Sequence, residues 1–320
     1  MINSRIIGFG HYLPKKILTN ADMSKIVDTN DEWILSRTGI SQRHIAEKNE
    51  LTSDLATKAC KNALDNSKLQ SSDIDCVIVA TTTPDQTFPS TACKIQSCLN
   101  MGNKPAFDIQ AVCSGFIYSL ELADALIKSK KANNILVVGA ETLSKIVDWK
   151  DRRTCVLFGD GAGAVVISAD HSSSECGILS TNLFSDGSWH DSLYADGGPS
   201  LDQKVGKIRM KGKDIFKQAI TKLSESTLLS LKKSKKNISQ IDWYIPHQAN
   251  LRIINGSAKK LGICKNKVIK TVNLHANTSA ASIPLALSSC VLKGKIKKNS
   301  LIALCAIGGG LTWGSCILKI

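Results

Sequence analysis

The most restrictive feature of the sequence is that it runs through one pattern twice. Ile74-Asp75-Cys76-Val77-Ile78 matches Ile241-Asp242-Trp243-Tyr244-Ile245, 167 positions later. Asp108 to Ser114 matches Asn273 to Ser279 at a spacing of 165, and Asn134-Ile135-Leu136 matches Asn299-Ser300-Leu301 at the same spacing. Three matches in order, close to half the length of the chain, imply a duplicated βα unit. Within it, Ile74–Ala80 and Asn134–Gly139 are short β-rich runs that predict buried strands. Between them Phe116, Leu120, Ala123 and Ile127 recur at helical spacing. Two further helices are expected, one through Ile215, Phe216, Ala219, Ile220 and Leu223 to Leu231, the other through Leu251, Ile254, Ala258 and Leu261. Strands alternating with helices predict an α/β fold around a mainly buried sheet. The mates at Cys113 and Asn277 would then converge between the halves.

Composition removes several classes of function. No run of 18 apolar residues exists, so no spanning helix is expected, and Met1–Tyr12 lacks the long apolar stretch of a secretory signal. Eleven cysteines with no C-x-x-C pair read as reduced thiols, neither a disulfide framework nor a zinc site. The formal charge of +14 lies wholly within 203–270, which holds 17 Lys and Arg against Asp214, Glu225 and Asp242. Two readings stand: a solvated lysine-rich face, or a docking surface for something acidic. A nucleic-acid surface would interleave arginines with aromatics, and this stretch has only Arg209 and Arg252 for arginines.

Four places carry candidate chemistry. Cys113 lies between the strand-like Ala106–Ile109 and the helix bearing Phe116, where free backbone N–H groups favour a thiolate; the alternative is a buried structural cysteine. His247 lies just past the second repeated strand, where α/β folds present functional side chains, although a lone histidine is often structural. Asn277 sits among small residues on a tight turn, as a site amide, a helix N-cap, or both. Gly308-Gly309-Gly310 follows a strand and makes either a plain turn or a backbone donor for a reacting oxygen. Phe158 to Ala164 is glycine-rich but lacks the G-x-G-x-x-G spacing, and is read as a turn rather than a dinucleotide loop.

Together these pieces resemble the β-ketoacyl-[acyl-carrier-protein] synthase III family, the initiating condensing enzymes of bacterial type II fatty-acid synthesis. The resemblance runs through Asp31-Glu32-Trp33-Ile34, Arg37-Thr38-Gly39-Ile40, Phe88-Pro89-Ser90, Ala111 to Phe116, Phe158 to Gly163, Pro246 to Asn250, Asn277 to Ser282 and Gly308 to Gly314. It implies a thiolase-like fold, duplicated βα halves in a five-layer α-β-α-β-α architecture, with a Cys-bearing half over 1–172 and a His- and Asn-bearing half over 173–320. It implies that Cys113 takes an acyl group from acetyl-CoA or a similar starter. His247 and Asn277 then assist decarboxylation of malonyl-acyl-carrier-protein, whose carbanion attacks the acyl group. The backbone N–H groups of Cys113 and Gly309 would form an oxyanion hole. Trp33, Arg37, Arg152 and Asn250 would bind CoA, and Phe88 would shape the acyl pocket at a homodimer interface. Gln248, Ala249, Asn250, Leu251 and Arg252, with Lys217 and Lys259, would face the acyl carrier protein. No metal or resident cofactor, no nucleic acid, no membrane insertion and a cytoplasmic bacterial location are expected. The remaining alternatives are a relative with the same triad using another starter, and a catalytically inactive scaffold.

Overall fold

A computed structural model describes residues 2–172 and 175–320. The nine strands of its two main sheets are β1 (Asn3–Tyr12), β2 (Cys76–Ala80), β3 (Ala106–Ile109), β4 (Asn134–Thr142), β5 (Asp160–Asp170), β6 (Gly177–Ser185), β7 (Trp243–Pro246), β8 (Leu301–Gly308) and β9 (Thr312–Lys319). The first sheet has the order β1-β5-β4-β2-β3 and the second β7-β8-β9-β6. Strand β2 is parallel to β3 and β4, and β5 is antiparallel to β4 and β1. In the second sheet β7 is parallel to β8, and β9 is antiparallel to β8 and β6. The halves thus share strand directions, and in the second the place of β3 is taken by a single parallel bridge between Tyr244 and Val268.

The longer helices are α1 (Asp31–Thr38), α2 (Thr52–Ser67), α3 (Thr91–Cys98), α4 (Gly115–Lys128), α5 (Gly212–Lys233), α6 (Leu251–Leu261) and α7 (Ser282–Leu292). The core clusters divide by layer. Leu55, Ala59, Ala92 and Ile95 of α2 and α3 pack with Val77 and Leu136 on the outer face of the first sheet. Phe116, Leu120, Ile283 and Leu287 of α4 and α7 fill the space between Ile78 and Val137 of one sheet and Leu304 and Cys316 of the other. Leu223 of α5 and Ile254 of α6 cover the second sheet's far face. The five-layer thiolase-like order is therefore present. Helix α7 is buried at every residue from Ser282 to Cys290 and α4 over most of its length, so each packs against a sheet on both sides.

The repeat is more regular than the sequence matches suggest. The starts of β2 and β7, of the 3-10 turns Val112–Ser114 and Ser279–Ala281, of α4 and α7, and of β4 and β8 each differ by 167 residues. The spacing of 165 at the Cys113 and Asn134 matches was thus two residues out of register, because it followed residue likeness rather than the turns. Strand β2 begins at Cys76, after Ile74 and Asp75. The glycine-rich stretch expected as a turn is mostly strand: β5 begins at Asp160 and contains Gly161 and Gly163. A Cβ on Gly163 would run into the backbone of Pro284 and Leu285, so this glycine permits β5 and α7 to touch. The expected division between 172 and 173 falls at Ser173, outside the described residues.

Candidate active site

Cys113, His247 and Asn277 all meet the segment 277–282. Cys113 is the middle residue of the 3-10 turn that leads into α4, and this turn packs on its mate Ser279–Ala281. His247 follows β7, held by its N–H to the Cys305 carbonyl at 2.7 Å, and its Nδ1 lies 2.6 Å from the Ser282 hydroxyl oxygen. Asn277 Oδ1 accepts the Ser279 N–H at 2.9 Å. The amide therefore closes a local turn rather than capping α7, whose N-cap is Ala281, and its Nδ2 donors have no protein acceptor among the described residues. The three residues are 5 %, 2 % and 7 % exposed, so all three are buried around that segment.

The backbone around them is strained. Val112, Ala276 and Ser279 have φ of 47°, 58° and 47°, a left-handed conformation costly for any residue with a Cβ. Two of them adjoin Cys113 and Asn277, and the third, Ser279, donates its N–H to the Asn277 amide oxygen. Gly308, at the end of β8, passes so close to the Cys113 turn that an added Cβ would lie 2.6 Å from the Cys113 nitrogen. Thr312 fastens the other side of that hairpin, donating to the Ala111 carbonyl at 2.9 Å. In the turn itself Ser114 N–H and Gly115 N–H use the Ala111 and Val112 carbonyls. The Cys113 N–H is outside that ladder, and the Gly309 N–H has no protein acceptor among the described residues.

Electrostatics correct one expectation. Burial pushes the Cys113 thiol up to about 12, against a smaller lowering by Ser279, and the Glu141 carboxylate raises it further. Desolvation outweighs the helix N-terminus here, so Cys113 rests as a thiol rather than a thiolate. Burial also lowers His247 to about 3, so the imidazole is neutral at any physiological pH. The Ser282 oxygen accepts the Gln248 N–H at 3.3 Å. Its own hydrogen is free to go to Nδ1, the arrangement that leaves the imidazole proton on Nε2.

The expected CoA residues form a second group. Trp33 and Arg37 lie on α1, and the Arg37 and Arg152 guanidiniums stand 4.9 Å and 5.3 Å from the Trp33 ring centroid. Arg152 also donates to the Asp28 carbonyl and carboxylate. The C-cap Gly39 of α1 packs on Leu251, which joins this group to the start of α6. There Asn250 is committed as the N-cap, accepting the Ile253 N–H at 2.9 Å. Ala249 and Leu251 are half-buried, while Arg252, Lys217 and Lys259 are exposed. Gln248 lies behind that face rather than on it: it is buried, donates to the Pro246 and Ile269 carbonyls and accepts from Thr271 and Val272. Phe88 is 82 % exposed. Among the described residues no cluster of three or more His, Cys, Asp or Glu side chains is placed to hold a metal ion.

Ser279, Ser282 and Glu141 were not singled out from the sequence. Glu141 could have been noticed as the one acid in the run Asn134–Thr142, a strand buried almost throughout.

A buried cysteine, a neutral imidazole and an amide gathered on one segment, set between duplicated βα halves, fit an acyltransferase of the thiolase-like class. The models of the 3-oxoacyl-[acyl-carrier-protein] synthase III family match residues 107–187 and, for its C-terminal part, 231–320. The β-ketoacyl-[acyl-carrier-protein] synthases III of Ehrlichia canis and Paramagnetospirillum magneticum are each 54 % identical, over alignments covering the whole of this chain and of theirs. The 3-oxoacyl-[acyl-carrier-protein] synthase III of Aquifex aeolicus, a solved structure, is 50 % identical, superposes with a TM-score of 0.94, and covers 99 % of this chain and 100 % of its own. The chain belongs to the β-ketoacyl-[acyl-carrier-protein] synthase III family, enzymes that start fatty-acid synthesis by a decarboxylating condensation.

Proposed function

We propose that the protein condenses an acyl-CoA starter, acetyl-CoA in the first instance, with malonyl-acyl-carrier-protein to give a 3-oxoacyl-acyl-carrier-protein, through an acyl group on Cys113. The observation that carries this is the meeting of Cys113, His247 and Asn277 on 277–282, with two neutral donors lacking protein acceptors among the described residues. Cys113 attacks the thioester carbonyl while the Cys113 and Gly309 N–H groups hold the oxyanion, and CoA leaves. Malonyl-acyl-carrier-protein then enters and loses CO₂. The charge that builds on its thioester oxygen is met by His247 Nε2–H and Asn277 Nδ2–H, each such donor being worth about 3–4 kcal/mol in the transition state. The carbanion attacks the acyl-Cys113 carbonyl and releases the sulfur. A neutral imidazole suits this role, since a donor is needed there and a charge would cost desolvation at so buried a position.

In this reading Trp33, Arg37 and Arg152 bind the CoA nucleotide, and Arg252, Lys217 and Lys259 meet the acidic carrier protein. The two halves divide near residue 172. The exposed Phe88 and the half-exposed edge strand β3 support pairing with a second copy that closes the acyl pocket. The cysteines, all free among the described residues, suit a reducing bacterial cytoplasm. Incubation with acetyl-CoA followed by peptide mass spectrometry should find one acetyl group on the Cys113 peptide and none in Cys113→Ala. If no short acyl-CoA leaves a label, the nucleophile is misassigned.

A further inference from the structure

Arg43 is a fully buried guanidinium that the condensation above leaves without a task. It stands within the short strand Gln42–Ile45. Its acceptors are neutral oxygens. Nη1 donates to the Leu18 carbonyl at 3.2 Å and to Asn20 Oδ1 at 2.9 Å, and Nη2 donates to the Val156 carbonyl at 2.9 Å. Nε has no acceptor among the described residues. Burial lowers the guanidinium to about 10, which still leaves it charged near neutrality. A buried cation held only by neutral oxygens costs stability that an apolar side chain of similar size would not, so packing alone does not account for an arginine here.

The two arms of the fork hold opposite sides of a frame. On one side Asn20 passes the contact to α1: its Nδ2 donates to Asp31 Oδ1 at 2.8 Å and to the Ile40 carbonyl at 2.7 Å, at the start of that helix and just past its end. On the other side Val156 leads into the three residues that grip Asn277. The Asn277 N–H donates to the Leu157 carbonyl at 2.9 Å and the Gly159 N–H to the Asn277 carbonyl at 3.0 Å, so Phe158 and Asn277 form a parallel bridge. Gly159 also rests on the arginine itself, since a Cβ added there would lie 3.2 Å from Arg43 Cβ and 2.9 Å from the His275 carbonyl oxygen. The arginine's own strand reaches the segment before Asn277 as well. Ser41 N–H and Oγ donate to the Asn273 carbonyl at 2.9 and 2.7 Å, and the short helix Val272–His275 packs against Gln42–Ile45.

The backbone at Asn277 needs such a frame. Ala276 has φ 58° and ψ −163°, a region that glycine occupies readily and alanine does not. A corner of this kind persists only where its surroundings over-determine it. The amide donor at its end is also sensitive to place, because a shift of about 1 Å at a reacting centre can cost about a hundredfold in rate.

We propose that Arg43 is a positioning residue for Asn277, a role that rests on the part given to Asn277 in decarboxylation above. Its fork fixes 156–159 against Asn20 and α1, and the bridge at Phe158 passes that placement to the Asn277 amide. A planar fork reaches Asn20 and Val156 at once, whereas a lysine ammonium is a point donor on a flexible stem.

The test is a double-mutant cycle on the decarboxylation of malonyl-carrier-protein, with Arg43→Met, Asn277→Ala and the double variant. Each rate is counted per Cys113 that acetyl-CoA can acetylate, so misfolded protein drops out. Arg43→Met alone should lower kcat about 10- to 100-fold. Its KM for malonyl-carrier-protein and its acetylation rate at saturating acetyl-CoA should each change less than about twofold. In the Asn277→Ala background, Arg43→Met should cost less than about twofold more, because the group it positions is gone. Losses that multiply in the double variant overturn the role, since a residue that only holds the fold together weakens the site whether or not Asn277 is present. A wild-type decarboxylation rate in Arg43→Met overturns it too. Should Arg43→Met fail to fold, Arg43→Lys, which keeps the cation without the fork, goes through the same cycle with the same expectations, and full activity there shows the fork to be dispensable. If wild type does not decarboxylate malonyl-carrier-protein, or Asn277→Ala does so at the wild-type rate, the underlying reading of Asn277 falls instead.

Discussion

Cys113, His247 and Asn277 are legible one by one, because each stands beside a strand end or turn that the sequence marks with glycine, proline or small residues. Their supports are not legible. Ser282 is one of several small residues after Asn277, and nothing local shows that its oxygen will meet an imidazole 35 positions back. The cost of burying Cys113 is equally invisible until both sheets are in place, which is why the expected thiolate became a thiol. The Ser282 bond yields a direct test. Ser282→Ala frees the His247 ring to rotate and removes the partner of its Nδ1. Condensation and malonyl decarboxylation should fall about 10- to 100-fold, the usual effect of losing such a support. Acetylation of Cys113, which does not use His247, should stay within about twofold. Equal losses in both half-reactions, measured with acetyl-CoA and malonyl-carrier-protein separately, would show that Ser282 holds the site together rather than orienting one ring.

Among elements, the helices declared themselves best. The stripe Phe116, Leu120, Ala123 and Ile127 became α4, and the run from Ile215 to Leu231 lies within α5. Strand starts were less legible where glycine replaced the usual β-formers, as at the head of β5. The basic segment resolves by element too. Arg209 is tied to Asp148 and Asp196, and Lys236 to Glu175, so part of the charge is locally satisfied. Arg252, in the first turn of α6, has no acidic partner among the described residues; its exposed guanidinium lies 5.0 Å from the Phe216 ring centroid on α5, which orders it. Lys235 stands past the end of α5. Arg252→Glu should therefore raise KM for malonyl-carrier-protein at least about tenfold, an effect that weakens with added salt, while Lys235→Glu should change it less than about twofold. Equal effects in steady-state assays would return the segment to a solvated lysine face.

At the scale of the whole molecule, stacking five layers buries imidazoles that must stay neutral to remain folded. His247 is lowered by burial to about 3 and His275 to about 4, the latter also by His44, His11 and Lys293; His11 is lowered by burial and by Lys293. Each of these folded values lies below that of an unfolded histidine, about 6.5. Below pH 6.5 the unfolded chain therefore binds protons that the native protein refuses, and stability falls with pH until the folded value is reached. Glu141 and Asp160, both raised by burial, act with the opposite sign: the native state holds their protons at higher pH, so their contribution is lost as pH rises. The histidine term can be isolated by difference. Between about pH 6.5 and about pH 4.5, His247 alone accounts for about 2–3 kcal/mol, at 1.36 kcal/mol per pH unit for one proton. The unfolding free energy of wild type should fall over that window by this much more than that of His247→Asn, measured by denaturant titration at each pH. Parallel curves for the two proteins would mean that His247 takes up its proton over the same pH range folded and unfolded, and the burial-lowered imidazole proposed for the decarboxylation step would have to be given up.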